Sequence, residues 1–333
     1  MAAIAEAAAV RAASRTGIAT GTVVMTALLA VAPFVGIYPV FLMKALCFAL
    51  FACAFNLLLG FGGLLSFGHA MFLGTAGYLS AQTAKVLGFP PELAILTGTA
   101  ASAALGVVVG ALAIRRQGIY FAMITLALAQ MVYFFCLQAP FTHGEDGIQA
   151  VPRSRLFGLI DLSDVRAMYA LVFVIFFGGF VLIYRIIHSP FGQVLKAIRE
   201  NEARAISLGY DADRYKLLAF VLSATLAGLA GATNALVFQL AALNAVYWTM
   251  SGEVVLMTLV GGMGTIFGPV VGALVVLAME NYLAQLGAWV TIVQGLVFVL
   301  CVLTFRRGIV GELVQYLRRR AAARHNASRD AAR

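Results

Sequence analysis

The residues able to do chemistry in this 333-residue chain are few and poorly spaced for catalysis. Cys47, Cys53, Cys136 and Cys301 lie inside apolar runs without paired spacing, so neither a disulfide framework nor a zinc site is indicated. His69, His143, His188 and His325 are scattered too widely for a metal cluster. Lys44, Lys85, Lys196 and Lys216 are the only lysines, and none precedes Ser or Thr, which excludes a Gly-rich phosphate loop ending in Lys-Ser/Thr. An intramembrane enzyme would need paired carboxylates, a nucleophile beside a base or ligand spacing within a span, and none is present. What remains is Glu253 and Glu280 at the borders of apolar segments, where acidic groups are pathway candidates by default. Glu253, in SGEVV, equally suits the positive end of a helix dipole, and Glu280, followed by Asn281, suits the end of a span. His69 sits beside Ser66 in a Gly-rich stretch, as a satisfied hydrogen-bonding group or a proton relay. Asn56, Gln130, Asn234 and Asn244 read as interhelical hydrogen-bonding groups.

The elements that must hold these residues are membrane helices. The chain is 62% hydrophobic and 11% charged, whereas soluble proteins are about 45–50% apolar and about 25% charged, so a water-exposed surface is excluded. Eight stretches, Thr16–Met43, Ala45–Ala84, Leu93–Ile114, Gln117–Gly144, Ala167–Tyr184, Leu217–Gly252, Val254–Met279 and Asn281–Phe305, contain no Lys, Arg, Asp or Glu. A span needs roughly 20 apolar residues, so the expected fold is an all-α polytopic integral membrane protein. Lys and Arg mark cytoplasmic segments: Arg11 and Arg15, Arg115 and Arg116, the run from Arg185 to Lys216, and Arg306 to Arg320. The net charge of +9 thus reads as orientation, not as affinity for nucleic acid. Six spans fit near 17–38, 41–60, 64–84, 93–114, 118–138 and 167–187, and two or four more follow Lys216. The total is eight to ten transmembrane helices, ten favoured, some short or broken. The expected parts are a cytoplasmic tail over 1–16, a transmembrane domain over 17–305 with an outer loop at 139–166 and a cytoplasmic loop at 185–216, and a basic cytoplasmic tail over 306–333. Breaks are expected in Gly60–Tyr78 and Gly261–Ala273, where Gly62, Phe67 and Gly68 recur as Gly262, Phe267 and Gly268. Irregular backbone at membrane depth survives only when buried in protein or lining a cavity. Ser66, His69, Glu253, Gly261, Gly262 and Gly264 are therefore the pathway candidates, with close helix packing as the other reading of the glycines.

The 185–216 loop changes character. Ser189 can cap a helix with Pro190 at its first position, and Phe191, Val194, Leu195 and Ile198 recur at helical spacing while Gln193, Lys196 and Arg199 face away. A second piece, Glu200 to Leu208, stops at Gly209. Glu200, Glu202, Asp211 and Asp213 balance the bases, which fits a groove on a protein partner better than anionic lipid.

This loop resembles the coupling loop of ABC importer permeases, with Glu202-Ala203 followed by Gly209. The string SPFGQVLKAIRENEARAISLGYDADRYKLLAFVLSATLAGLAGA is similar to the LivM-like permease family of branched-chain amino-acid transporters, as are GFGGLLSFGHAMF, RRQGIYFAMITLA, GEDGI, YWTMSGEVVLM and GGMGTIFGPVVGA, in the family's order. His143, in THGEDGI, stands where the family more often has glycine. The resemblance implies a bacterial inner-membrane, multi-pass permease subunit with cytoplasmic termini. It also implies a second permease subunit, two ATP-binding subunits and a periplasmic substrate-binding protein, with lipid around the helices. ATP and magnesium belong to the ATPases, no cofactor to this chain, and Ser189, Pro190, Glu200, Asn201, Glu202, Ala203 and Gly209 form the ATPase-coupling loop. Related permeases sharing this pattern carry urea or small amides. From another class comes an autonomous transporter driven by protons or sodium through His69, Glu253 and Glu280.

Overall fold

The computed structural model describes residues 21–29, 31, 38–283, 289–304, 308–312 and 315. The tails expected over 1–16 and over most of 306–333, with Arg306 and Arg307, lie outside the described residues.

Residues 21–29 are helical. The chain then forms α1 (Pro39–Asn56), prolonged by a π-helical turn (Leu57–Phe61), α2 (His69–Lys85), α3 (Pro91–Ala113) and α4 (Ile119–Gln138). Short strands β1 (Ile148–Gln149), β2 (Arg155–Leu156) and β3 (Ile160–Asp161) precede α5 (Val165–His188), α6 (Pro190–Glu200) and α7 (Glu202–Ser207). After α8 (Ala212–Phe238) and β4 (Leu240–Ala241) come α9 (Trp248–Gly261), α10 (Gly268–Leu283) and α11 (Trp289–Thr304). Every interval expected to span before the 185–216 loop holds a helix, and α8 to α11 occupy the region after it. The α1–π unit, α3, α4, α5 and α8 are long and apolar enough to cross a membrane. α2, α9, α10 and α11 are shorter, at 17, 14, 16 and 16 residues. The chain is thus an all-α polytopic membrane protein, as composition requires, because apolar solvent leaves backbone groups no partner outside a helix or closed barrel.

Two helices form the centre. α8 packs on α2, α3 and α1, while α1 also packs on α5 and α10. Between Lys44 near its start and Asn56 at its end α1 is apolar on all sides, the pattern of a helix enclosed by others, and Met43 and all residues from Ala45 to Asn56 are buried. Between α8 and its neighbours small residues replace large ones, so backbones approach closely. Gly106 of α3 faces Ala224, Gly228 faces Ser102, and Ser102 Oγ donates to the Ala224 carbonyl across 2.8 Å.

The two ends of the bundle are built differently. At one end β1 pairs antiparallel with β4, Lys85 donates to the Gln149 carbonyl, and Arg153 donates to the Leu236 and Val237 carbonyls that end α8. There the Ser163 N–H donates to Asp161 Oδ1 across 2.9 Å and holds that carboxyl below its ordinary value. His143 adopts φ +59°, the left-handed region, which gives a physical reason for glycine to suit that position. At the other end lie the α3–α4 turn, α6, α7 and both glycine-rich breaks.

Candidate functional site

The loop between α5 and α8 is held by three side-chain caps in succession. Ser189 Oγ accepts from Gly192 N–H and Pro190 occupies the first turn of α6. Asn201 Oδ1 accepts from Arg204 N–H at 3.0 Å and starts α7, and Asp211 Oδ1 accepts from Arg214 N–H at 3.2 Å and starts α8. Because Asn201 is a preferred cap, the second helix begins at Glu202 and not at Glu200 as expected. It ends at Gly209, whose φ of +91° allows Gly209 N–H to reach the Ile206 carbonyl and Tyr210 N–H the Ala205 carbonyl, the paired bonds of a Schellman stop. Ile198, Ala205 and Ala212 bury one another beneath Val194 and Tyr215, and Phe191 stacks on Tyr215 at 5.5 Å. The loop therefore carries its own small core.

Glu202 faces inward from this unit. Its Oε1 accepts from Lys216 Nζ at 2.5 Å and from Gln117 Nε2 at 2.9 Å, tying α7 to α8 and to the α3–α4 turn. Lys216, only 3% exposed, is the charge that sequence reasoning had assigned to orientation alone. What α7 turns outward is Ala203, Ile206 and Leu208, the last two 55% and 71% exposed, with Tyr210 beside them and Glu200 nearby. Ile206 on α7 and Leu208 at its C-cap stay outside the small core of Ile198, Ala205 and Ala212, which is the signal in the sequence: apolar residues in a polar loop that its own core does not use.

Lys196 and Arg199 do not face away as their helical positions predicted. Arg199 donates to the Gly60 carbonyl, and Lys196 Nζ lies 5.4 Å from the centroid of the Phe61 ring. The cause is the π turn, which alters the i to i+4 pattern and leaves a carbonyl for a side chain to satisfy. Burial holds the Lys196 ammonium below its ordinary value.

The two breaks meet here. α1 and its π turn end at Phe61 and α9 at Gly261, and the next helices begin at His69 and Gly268, so the 200-residue sequence echo is also a structural one. Asn56, 3% exposed, joins them: its Nδ2 donates to the Thr265 carbonyl at 2.8 Å and its Oδ1 accepts from Gly264 N–H at 3.0 Å. Gly262 adopts φ +120°. Gly261 lies against the Gly268 carbonyl, so the edges of the second break pack closely, while Met263 between them is exposed.

The other pathway candidates are spread through the bundle. Ser66 is buried and its Oγ accepts from Gly68 N–H at 3.3 Å. His69 is fully buried, edge-on to Phe55, Phe72 and Phe220. Its Nε2 lies 2.8 Å from Ser223 Oγ, whose own proton goes to the Ala54 carbonyl, so Nε2 is the donor and Nδ1 is left without a hydrogen bond among the described residues. Ser251 Oγ accepts from Ala70 N–H at the start of α2. Glu280 pairs with Lys44 at 3.0 Å, and Glu253 is within electrostatic range of both. The structure thus gathers Glu253 and Glu280 around a lysine of α1, away from His69. No group of three or more metal-ligating side chains occurs among the described residues.

Residues 38–302 match the family described as branched-chain amino acid transport system permease component. The chain is 26% identical to the high-affinity branched-chain amino acid transport system permease protein LivM of Salmonella typhimurium, over 77% of this chain and 65% of the relative. LivM of Escherichia coli K12 gives the same identity and coverage. A probable ABC transporter permease protein of Escherichia coli K12, YphD, is 32% identical over 40% of this chain and 42% of its own length. The chain therefore spans slightly less than two thirds of the LivM proteins it matches. No solved structure matches it. With most of its helical bundle inside the matched region, the chain belongs to the branched-chain amino acid transport permease family and is a LivM-like, multi-pass membrane permease.

Proposed function

We propose that this chain is one half of the translocation unit of an ATP-driven importer for branched-chain or other hydrophobic amino acids. It works beside a second permease subunit in the bacterial inner membrane, with its termini in the cytoplasm. ATP is hydrolysed by two separate subunits, and a periplasmic binding protein delivers and selects the substrate. The observation that carries this reading is the triply capped loop with its own core and an outward apolar pair, Ile206 and Leu208, flanked by charges of both signs. A small rigid helix of that kind fits a groove on a protein partner. Substituting Ile206→Asp together with Leu208→Asp is expected to abolish co-purification of an ATPase while the permease still accumulates in membranes, because both positions are exposed. Uptake by membranes holding this chain alone, driven by a proton gradient without ATP, would overturn the reading.

ATPase motion must then reach the membrane helices. Arg199 makes the hydrogen bond by which α6 holds the π turn of α1, beside Lys196 over the Phe61 ring, and Asn56 carries the contact on to the 262–265 turn. A hydrogen bond to a charged group is worth about 1.5–3 kcal/mol. Arg199→Ala should therefore lower ATP-driven uptake roughly tenfold or more while ATPase binding persists. Unchanged uptake per ATP hydrolysed would remove Arg199 from the coupling route.

A further inference from the structure

The two breaks are alike in sequence, and both reach the surface: Met263 is exposed and 264–267 half-buried, as Leu65 and Phe67 are. At the second, glycines of α9 and α10 pack on one another's backbone, whereas the first climbs from the α6–α7 end of the molecule into the bundle. Gly63 lies against the aliphatic stem of Arg199, and Gly68 lies against the backbone of Thr125, about 10 Å along α4 from its start. The N–H groups of Leu65, Ser66 and Phe67 make no hydrogen bond among the described residues. Gly63 is exposed, and Leu65 and Phe67 are only half-buried. Beside this segment runs a half-open groove of about 480 Å³, lined by Gly63, Leu65, Phe67, Ile119, Met123 and Leu126 among others, with no charged side chain among its described residues.

Hydrocarbon is a poor occupant for such a place. Non-helical backbone with free N–H groups persists at membrane depth only where protein buries it or water reaches it, and this chain buries Ser66 but leaves Leu65 and Phe67 half-exposed. The volume falls in the range of small-molecule sites and holds on the order of fifteen waters. Its walls offer aliphatic surface from α4, while Leu65 and Phe67, which also line it, carry unpartnered backbone N–H groups of the kind that water or a carboxylate satisfies.

We propose that this groove is the coupling-loop-side part of the translocation path, water-filled when empty, and that a passing amino acid lays its aliphatic side chain on Ile119, Met123 and Leu126. The proposal deepens the permease reading above and rests on it. It also gives Arg199 a second task, since the wall residue it supports, Gly63, moves with α6. The absence of charge from the walls favours passage over retention, because selection is left to the delivering protein.

The test is cysteine accessibility in the full chain, in its native membrane with its partners. Leu65→Cys and Met123→Cys are compared with Val174→Cys, which lies mid-helix on α5 and is 65% exposed. Native Cys47, Cys53 and Cys136 are buried, and Cys301→Ser removes the fourth. A charged, membrane-impermeant methanethiosulfonate applied from the loop side should modify Leu65→Cys and Met123→Cys at least tenfold faster than Val174→Cys. Isoleucine supplied during turnover should slow both. Rates no faster than Val174→Cys, with an uncharged lipid-permeant maleimide still labelling the same positions, would mean that acyl chains or a partner helix fill the groove, and would overturn the proposal. Fast labelling that isoleucine leaves unchanged in membranes competent for uptake would overturn it as well. Uptake that needs no ATP would sink the importer reading instead, and the accessibility result would stand apart from it.

Discussion

Glu202→Ala is expected to destabilise the folded protein more than any other single change in the 189–209 loop. The substitution leaves Lys216, with 4% of its side chain exposed, as a charge without its carboxylate. Breaking a fully buried pair by removing one partner costs about 3–5 kcal/mol. Here the loss should fall toward the lower part of that range, because Glu202 keeps a quarter of its side chain in solvent, which screens the pair. The measurement is the apparent thermal midpoint of the purified protein in detergent. Glu202→Ala combined with Lys216→Met should recover most of the loss, since no charge is then stranded. A single variant as stable as the parent would show that Lys216 finds water or another acceptor. The same geometry separates two kinds of variant in the proposed docking experiment: the Glu202 carboxylate points into this chain, so its removal alters the hold on α7, whereas Ile206 and Leu208 are exposed.

The second large effect is expected at Gly231. A Cβ there would sit 2.7 Å from the carbonyl carbon of Leu73 and closer still to its oxygen, and backbone of α2 cannot give way as a side-chain tip can. Overpacking typically costs about 1–3 kcal/mol and sometimes more, so Gly231→Ala should lower the thermal midpoint clearly and Gly231→Leu should prevent stable accumulation. Gly178, on α5, meets nothing within 4 Å, so Gly178→Leu is the matched control and should be tolerated. Equal expression of the two leucine variants would mean that α2 and α8 are not held at this distance in the membrane.

Local chemistry accounts for what the sequence made legible. Ser189-Pro190 and Gly209 set the limits of α6 and α7 because caps and left-handed stops depend on neighbouring residues alone. The breaks after Phe61 and Gly261 were readable for the same reason, as glycine clusters interrupting apolar runs. Long-range partners were not readable. Lys216 and Glu202 meet across the Gly209 turn, Asn56 meets Gly264 from the opposite end of the chain, and Lys44 meets Glu280. Each looked ordinary alone: an orientation charge, a neutral polar group in a span, a lysine between apolar stretches. Arg199 and Lys196 were placed outward by helical spacing, and only the π turn of α1, a departure from that spacing, gives them something to reach. Of the pathway candidates, Ser66 and His69 flank the exposed segment from inside the bundle, while the groove itself is walled by α4 residues whose apolar character looked like ordinary span.

The pairing of β1 with β4 has a consequence for biogenesis. Ile148 pairs with Ala241, which the ribosome adds roughly 90 residues later, and at about 5–20 residues per second that is a wait of several seconds. Until then the 139–166 loop lacks its partner strand, and Arg153 lacks the carbonyls of α8 that it will cap. The loop is thus a late lock: it closes only once α8 has been made and set beside it.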